Sequence, residues 1–160
     1  MRDTAHAIRW DGEFALISDT NRVLVVDDEL TIRVALRRCF ARMGWAVDEA
    51  SNGESAWALI ALDEEQPQSS RYRMVLCDLR MPGLSGIDLY ERVRAQYPDV
   101  LTRMVISTGD IVSQEAADFV ERAGCAVLQK PFELSAIRSL AQQLSEAAAP
   151  APTDGTGTTS

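Results

Sequence analysis

From residue 22 onward the chain alternates short apolar runs with amphipathic segments, a rhythm that predicts βαβ units and an open parallel α/β sheet. The apolar runs end in chemistry. Val23-Leu24-Val25-Val26 leads into Asp27-Asp28, and Met74-Val75-Leu76-Cys77 leads into Asp78. Met104-Val105-Ile106-Ser107 leads into Thr108-Gly109, and Ala126-Val127-Leu128-Gln129 leads into Lys130-Pro131. A parallel sheet delivers every strand's C-terminal end to the same edge, where such sheets bind ligands. Three carboxylates, a hydroxyl and an ammonium are therefore expected to converge.

Lys130 is the only lysine among sixteen basic residues, so a chain that otherwise uses arginine places one compact point charge at that edge. With 160 residues, 46% of them hydrophobic and 25% charged, the chain reads as one soluble domain with tails. No apolar stretch reaches the roughly 18 residues of a membrane span, and Arg2, Asp3, Arg9 and Asp11 replace the apolar core of a signal peptide. A cytoplasmic setting and no membrane contact are expected. Cys39, Cys77 and Cys125 lie far apart without a Cys-x-x-Cys or a histidine cluster, which points to buried thiols. A net charge of −8 argues against nucleic-acid binding. Arg33, Arg37, Arg38 and Arg42 read as a solvated face of one helix or a docking surface for an acidic partner.

A first helix is expected from about Leu30 to Met43, with Ile32, Leu36, Cys39, Phe40 and Met43 on one face and Gly44 as its stop. Ala46 to Ala50 reads as a weak strand. Ser51-Asn52-Gly53-Glu54 matches a capping box opening a helix whose Trp57, Ile60 and Ala61 can face the sheet. Residues 63–73 are polar with a proline and read as a long surface loop. Ile87 to Ala95 forms a third helix with Ile87, Tyr90 and Val93 inward, ended by Tyr97-Pro98-Asp99. Ser113 can cap a fourth helix that Gly124 ends, and a fifth begins near Leu134. Residues 147–160 are expected to be a disordered tail, and residues 1–21 an extension whose Phe14-Ala15-Leu16-Ile17 could be a further strand.

The motifs together resemble the receiver domain of two-component signalling, the response-regulator family, in its chemotaxis-regulator-like form. They are Asp27-Asp28, then Asp78-Leu79-Arg80-Met81-Pro82-Gly83-Leu84-Ser85-Gly86, then Thr108-Gly109, then Lys130-Pro131-Phe132, each at a strand end in the family's order. The resemblance covers about residues 22–146. It implies a flavodoxin-like, doubly wound five-stranded parallel sheet of order 2-1-3-4-5 with five helices. It further implies Mg²⁺-dependent phosphorylation of Asp78 by a histidine kinase or a histidine phosphotransfer protein. By the same resemblance Asp28 ligates the metal directly, Asp27 holds a metal-bound water, and Asp78 and the backbone carbonyl of Arg80 complete the protein's share. Lys130 and Thr108 would contact phosphoryl oxygens, with the fourth-helix region following the hydroxyl.

Physical chemistry supports that assignment of residue types. A carboxylate is a poor nucleophile toward phosphorus because phosphoryl oxygens repel it, so catalysis must come from positioning and charge neutralisation. Three crowded carboxylates repel one another unless a cation lies among them, and Mg²⁺ prefers hard oxygen ligands. A cis peptide before Pro131 would aim the ammonium inward, and Gly109 would let the backbone approach. Thr108 is preferred to Ser107 as the contributing hydroxyl, because adjacent strand residues face opposite sides.

The chain departs from the family pattern at Val127, where many members carry a switching Tyr or Phe, so that coupled movement cannot operate in its usual form. Arg80 and Asp110 are expected to pair across the site mouth and slow attacking water. No room is left after the fifth helix for a DNA-binding output domain, which suggests a stand-alone regulator, a relay intermediate or a receiver from a hybrid kinase. An Mg²⁺-dependent phosphatase of the haloacid-dehalogenase type is the alternative. It would need the nucleophile on the first strand and the acidic pair late, the reverse of the order here. A nucleotide-binding module lacks its Gly-x-Gly-x-x-Gly. His6 reads as a tail residue.

Overall fold

A computed structural model describes residues 21–66, 71–109 and 112–147. The expectations for Phe14–Ile17, His6 and the C-terminal tail fall outside those residues. Five strands, β1 Arg22–Val26, β2 Ala46–Ala50, β3 Tyr72–Asp78, β4 Met104–Thr108 and β5 Ala126–Gln129, form one sheet in the order β2-β1-β3-β4-β5. All four pairings are parallel. Between them run α1 Leu30–Arg42, α2 Gly53–Glu65, α3 Gly86–Gln96, α4 Gln114–Ala123 and, after β5, α5 Leu134–Ala147.

Alternation along the strands sorts the core into two layers. Val23, Val25, Met74, Leu76 and Val105 meet Leu36, Cys39 and Phe40 of α1 and Ile137 and Ala141 of α5. Leu24, Val26, Val75, Cys77 and Ile106 meet Ala56 and Ile60 of α2, Leu89 and Val93 of α3, and Phe119 of α4. The central strands are thus apolar on both faces, as a sheet covered on both sides demands. The doubly wound fold anticipated from the sequence is the one observed.

Local details differ where tertiary contacts outweigh local pattern. The α2 cap is Asn52, whose side chain accepts from Ser55 N, rather than Ser51. Ala56 is buried on that helix while Ala61 and Trp57 are half-buried. Leu89 is fully buried on α3 and Ile87 only partly, because Gly86 already stands inside the helix and sets its phase. A 3-10 helix, Pro98–Arg103, follows α3 and buries Val100.

Both ends of the polar stretch 63–73 lie in elements, and residues 67–70 fall outside the described residues. Asp63 and Glu64 belong to α2, Tyr72 and Arg73 to β3, and Asp63 and Tyr72 are buried. Arg22 makes the difference: its Nη1 donates to Asp63 Oδ1 at 3.0 Å and its Nη2 to Asp48 Oδ2 at 2.7 Å. Asp63 Oδ2 accepts from Tyr72 N at 3.0 Å, and the Tyr72 hydroxyl donates to Asp48 at 2.6 Å. A paired, hydrogen-bonded carboxylate can enter the interior where a lone one cannot. This cluster braces the end of the sheet opposite the strand C-termini.

Candidate functional site

The register of the sheet decides which residues meet. Val26 pairs with Cys77, so Asp27, one residue past β1, stands beside Asp78, the last residue of β3. Asp78 pairs in turn with Ser107, and Thr108 with Gln129, which brings the ends of β4 and β5 to the same edge. Carboxylate oxygens of Asp27, Asp28 and Asp78 all lie within 4.8 Å of one another. Asp27 is 1% and Asp78 6% exposed, whereas Asp28 is open to solvent. Lys130 reaches in from the end of β5. Its Nζ lies 2.8 Å from Asp27 Oδ2 and 3.4 Å from Asp78 Oδ2.

Each group is held by its own loop. Asp27 Oδ1 accepts from Glu29 N at 2.9 Å while Oδ2 accepts from Lys130, so this carboxylate closes the turn into α1 and binds the ammonium at once. Lys130 N donates to Thr108 O at 2.8 Å, and the Lys130–Pro131 peptide is cis, as expected. Asp78 Oδ1 accepts a long hydrogen bond, 3.4 Å, from Arg80 N. Gly86 N donates to Leu79 O at 2.9 Å, and a Cβ on Gly86 would stand 2.3 Å from the carbonyl oxygen of Asp78. Only glycine lets α3 start so close to that strand end. The loop's capping box, Ser85 with Asp88, fixes the same junction from the helix side.

Burial pushes the Asp78 carboxyl up to about 6, aided by the charge of Asp27 and opposed by Lys130 and the Arg80 N–H. Burial works against the Lys130 ammonium, yet its hydrogen bond to Asp27 and the charge of Asp78 hold its pKa above the ordinary lysine value. One ammonium therefore compensates part of a triple carboxylate charge. The donor set is all hard oxygen, with no sulfur or imidazole, and one carboxylate faces solvent, so Mg²⁺ fits these residues.

The remaining anticipated residues fall out unevenly. Thr108 and Ser107 are both buried at the end of β4. A Cβ at Gly109 would meet only Lys130 Cβ at 3.8 Å, an ordinary contact, so no close backbone approach is demanded there. Val127 is half-buried and packs against the core layer that contains Phe119 of α4. Asp110 lies outside the described residues. The Arg80 guanidinium contacts the start of α4, donating to Ser113 Oγ at 2.9 Å and lying 3.7 Å from Glu115 Oε2. The sequence marks Ser113 only as the cap of α4 and gives no sign of Glu115 at the site, because the contact joins residues 33 positions apart.

The basic cluster of α1 is likewise not simply solvated. Arg33 is mostly buried, 3.3 Å from Glu49 Oε1, and donates to the carbonyl of Asp27 at 2.7 Å. Arg37 pairs with the same Glu49 at 2.7 Å, while Arg38 and Arg42 are exposed. Arg33 thus ties β2 to the turn that carries the acidic pair.

The sequence profile of the response regulator receiver domain matches residues 23–142. The chain belongs to that family. The receiver is 33% identical over 136 residues to "Response regulator MprA" of Mycolicibacterium vanbaalenii, covering 85% of this chain and 54% of that one. It is 27% identical over 118 residues to "Sporulation initiation phosphotransferase F" of Bacillus subtilis, covering 73% and 87%. A solved response regulator receiver protein from Pseudomonas putida superposes with a TM-score of 0.65 at 30% identity, over 78% of this chain and 97% of that one. The receiver spans about half the length of MprA. Among the described residues no helix is long and apolar enough to cross a membrane.

Proposed function

We propose that this receiver accepts a phosphoryl group on Asp78 from the phosphohistidine of a histidine kinase or a histidine phosphotransfer protein, in a reaction that requires Mg²⁺. The observation that carries the reading is the gathering of three carboxylates, two of which meet one lysine ammonium, with Lys130 3.4 Å from Asp78 and 2.8 Å from Asp27. An oxygen of Asp78 attacks phosphorus as the nitrogen–phosphorus bond of the donor breaks, and the electron pair returns to the imidazole nitrogen. Asp27 and Asp28, with Asp78 and the Arg80 carbonyl, would hold the metal, which supplies charge neutralisation when bound. Lys130 steadies the phosphoryl oxygens, and Thr108 donates its hydroxyl to one of them. The receiver promotes only its own phosphorylation and dephosphorylation, in the cytoplasm, and changes its binding of a downstream protein rather than of nucleic acid. Residues 22–146 form the working unit.

Val127 favours a second reading within the same chemistry, a relay that passes the group onward rather than reading it out. Without an aromatic side chain at that place, β5 has no large ring to reposition.

The test is incubation with acetyl phosphate and Mg²⁺. Intact-mass analysis should show a gain of about 80 Da for one phosphoryl group, mapped to Asp78 and missing in Asp78→Asn. A label elsewhere, or none in either protein, overturns the reading.

A further inference from the structure

Arg80 touches two places with two different parts of itself. Its backbone N–H lies 3.4 Å from Asp78 Oδ1, and its guanidinium donates to Ser113 Oγ at 2.9 Å, at the cap of α4. Ser113 in turn holds the first turn of that helix, since its hydroxyl accepts from Ala116 N at 3.2 Å and its carbonyl from Ala117 N at 3.1 Å. Glu115, in the same turn, lies 3.7 Å from the guanidinium.

These contacts are weakly bound by their nature. The Arg80 and Glu115 side chains are 52% and 69% exposed, and exposed pairs of this kind contribute little. A phosphoryl group on Asp78 would bring nearly two negative charges beside the backbone of Arg80. Hydrogen bonds from guanidinium to phosphate are charge-assisted and geometrically matched, so they outcompete a neutral hydroxyl and a solvated carboxylate.

We propose that Arg80 is the positioning residue through which phosphorylation of Asp78 reaches α4. Its guanidinium holds the helix cap while Asp78 is unmodified, and turns to the phosphoryl oxygens once Asp78 carries them. Ser113 then loses the guanidinium that donates to its hydroxyl, and the first turn of α4 loosens. The inference rests on Asp78 being the phosphoacceptor, and it supplies a link that Val127 cannot.

Amide hydrogen exchange at Ala116 and Ala117, followed by NMR on the full chain, tests it. Wild-type protein labelled with acetyl phosphate and Mg²⁺ should exchange about twofold faster at both amides, the scale of one exposed contact given up by a cap that stays in place. Unlabelled Arg80→Ala should already show that acceleration, with the amides of β1 and β3 as protected as in wild type. Labelled wild type with unchanged exchange, or Arg80→Ala with wild-type exchange, overturns the inference and leaves the phosphoacceptor reading standing. Absence of label on wild-type Asp78 overturns both. If Arg80→Ala also loosens the strands, Arg80→Met, which keeps the apolar stem and removes the donors, takes its place: an acceleration in the unlabelled variant with protected strands supports the link, and none overturns it.

Discussion

Lys130 does with one atom what a wider group could not. Its Nζ contacts both Asp27 and Asp78 from a side chain only 15% exposed, a compact charge where a guanidinium would present a wider plane. Lys130→Arg should therefore lower the rate of Asp78 phosphorylation by acetyl phosphate despite keeping the charge, and Lys130→Ala should lower it by ~10²-fold, the usual cost of deleting one preorganised donor. Rates are read from the mass-labelled fraction over time. Asp78 itself carries a cost in the metal-free protein, because its pKa is raised from 3.8 to about 6. An acid that binds its proton more tightly when folded contributes stability below pH 3.8 and loses it as pH rises through about 6. Above that window, metal-free Asp78→Asn should be more stable than wild type by about 1–2 kcal/mol, a value reduced for solvent screening, and the gap should close below pH 4. Adding Mg²⁺ should stabilise wild type selectively. Thermal melts across pH 4 to 8, with and without the ion, measure both effects.

At the level of elements, the strand ends were the most readable part of the chain. Apolar runs place β1, β3, β4 and β5 without ambiguity, and each hands its next residue to the shared edge, so Asp27, Asp28, Asp78, Thr108 and Lys130 could be named before any coordinates. What escaped was decided by partners distant in sequence. Asp63-Glu64 has the composition of a loop, and Arg22, contributed by a strand 41 residues earlier, together with the Tyr72 N–H makes burial of Asp63 tolerable. Arg80 is legible only as a residue at the site mouth, since nothing local announces that it meets Ser113 across 33 residues. The buried Asp63 gives a direct test at this scale. Asp63→Ala strands the Tyr72 N–H and removes one partner of Arg22, so it should cost about 2–3 kcal/mol in urea denaturation. Asp63→Asn keeps an acceptor for Tyr72 and should cost less. Phosphorylation of Asp78 should proceed at the wild-type rate in Asp63→Asn, because the cluster sits at the far end of the sheet.

Across the whole molecule, two apolar layers clamp the sheet from both sides, while polar devices occupy its two ends. The Arg22–Asp48–Asp63–Tyr72 cluster stiffens one end, and the carboxylates and Lys130 crowd the other. Cys77, next to Asp78 in the middle strand, is fully buried, and burial together with the neighbouring carboxylates pushes its thiol far above the ordinary cysteine value. Cys39 is also buried, whereas Cys125 is half-exposed with a raised pKa. A thiol-specific reagent should consequently modify native protein slowly at Cys125 and reach Cys77 and Cys39 only in molecules whose sheet has come apart. The central cysteine is thus a tamper seal: once it reads as alkylated, that copy of the protein has been open at its middle.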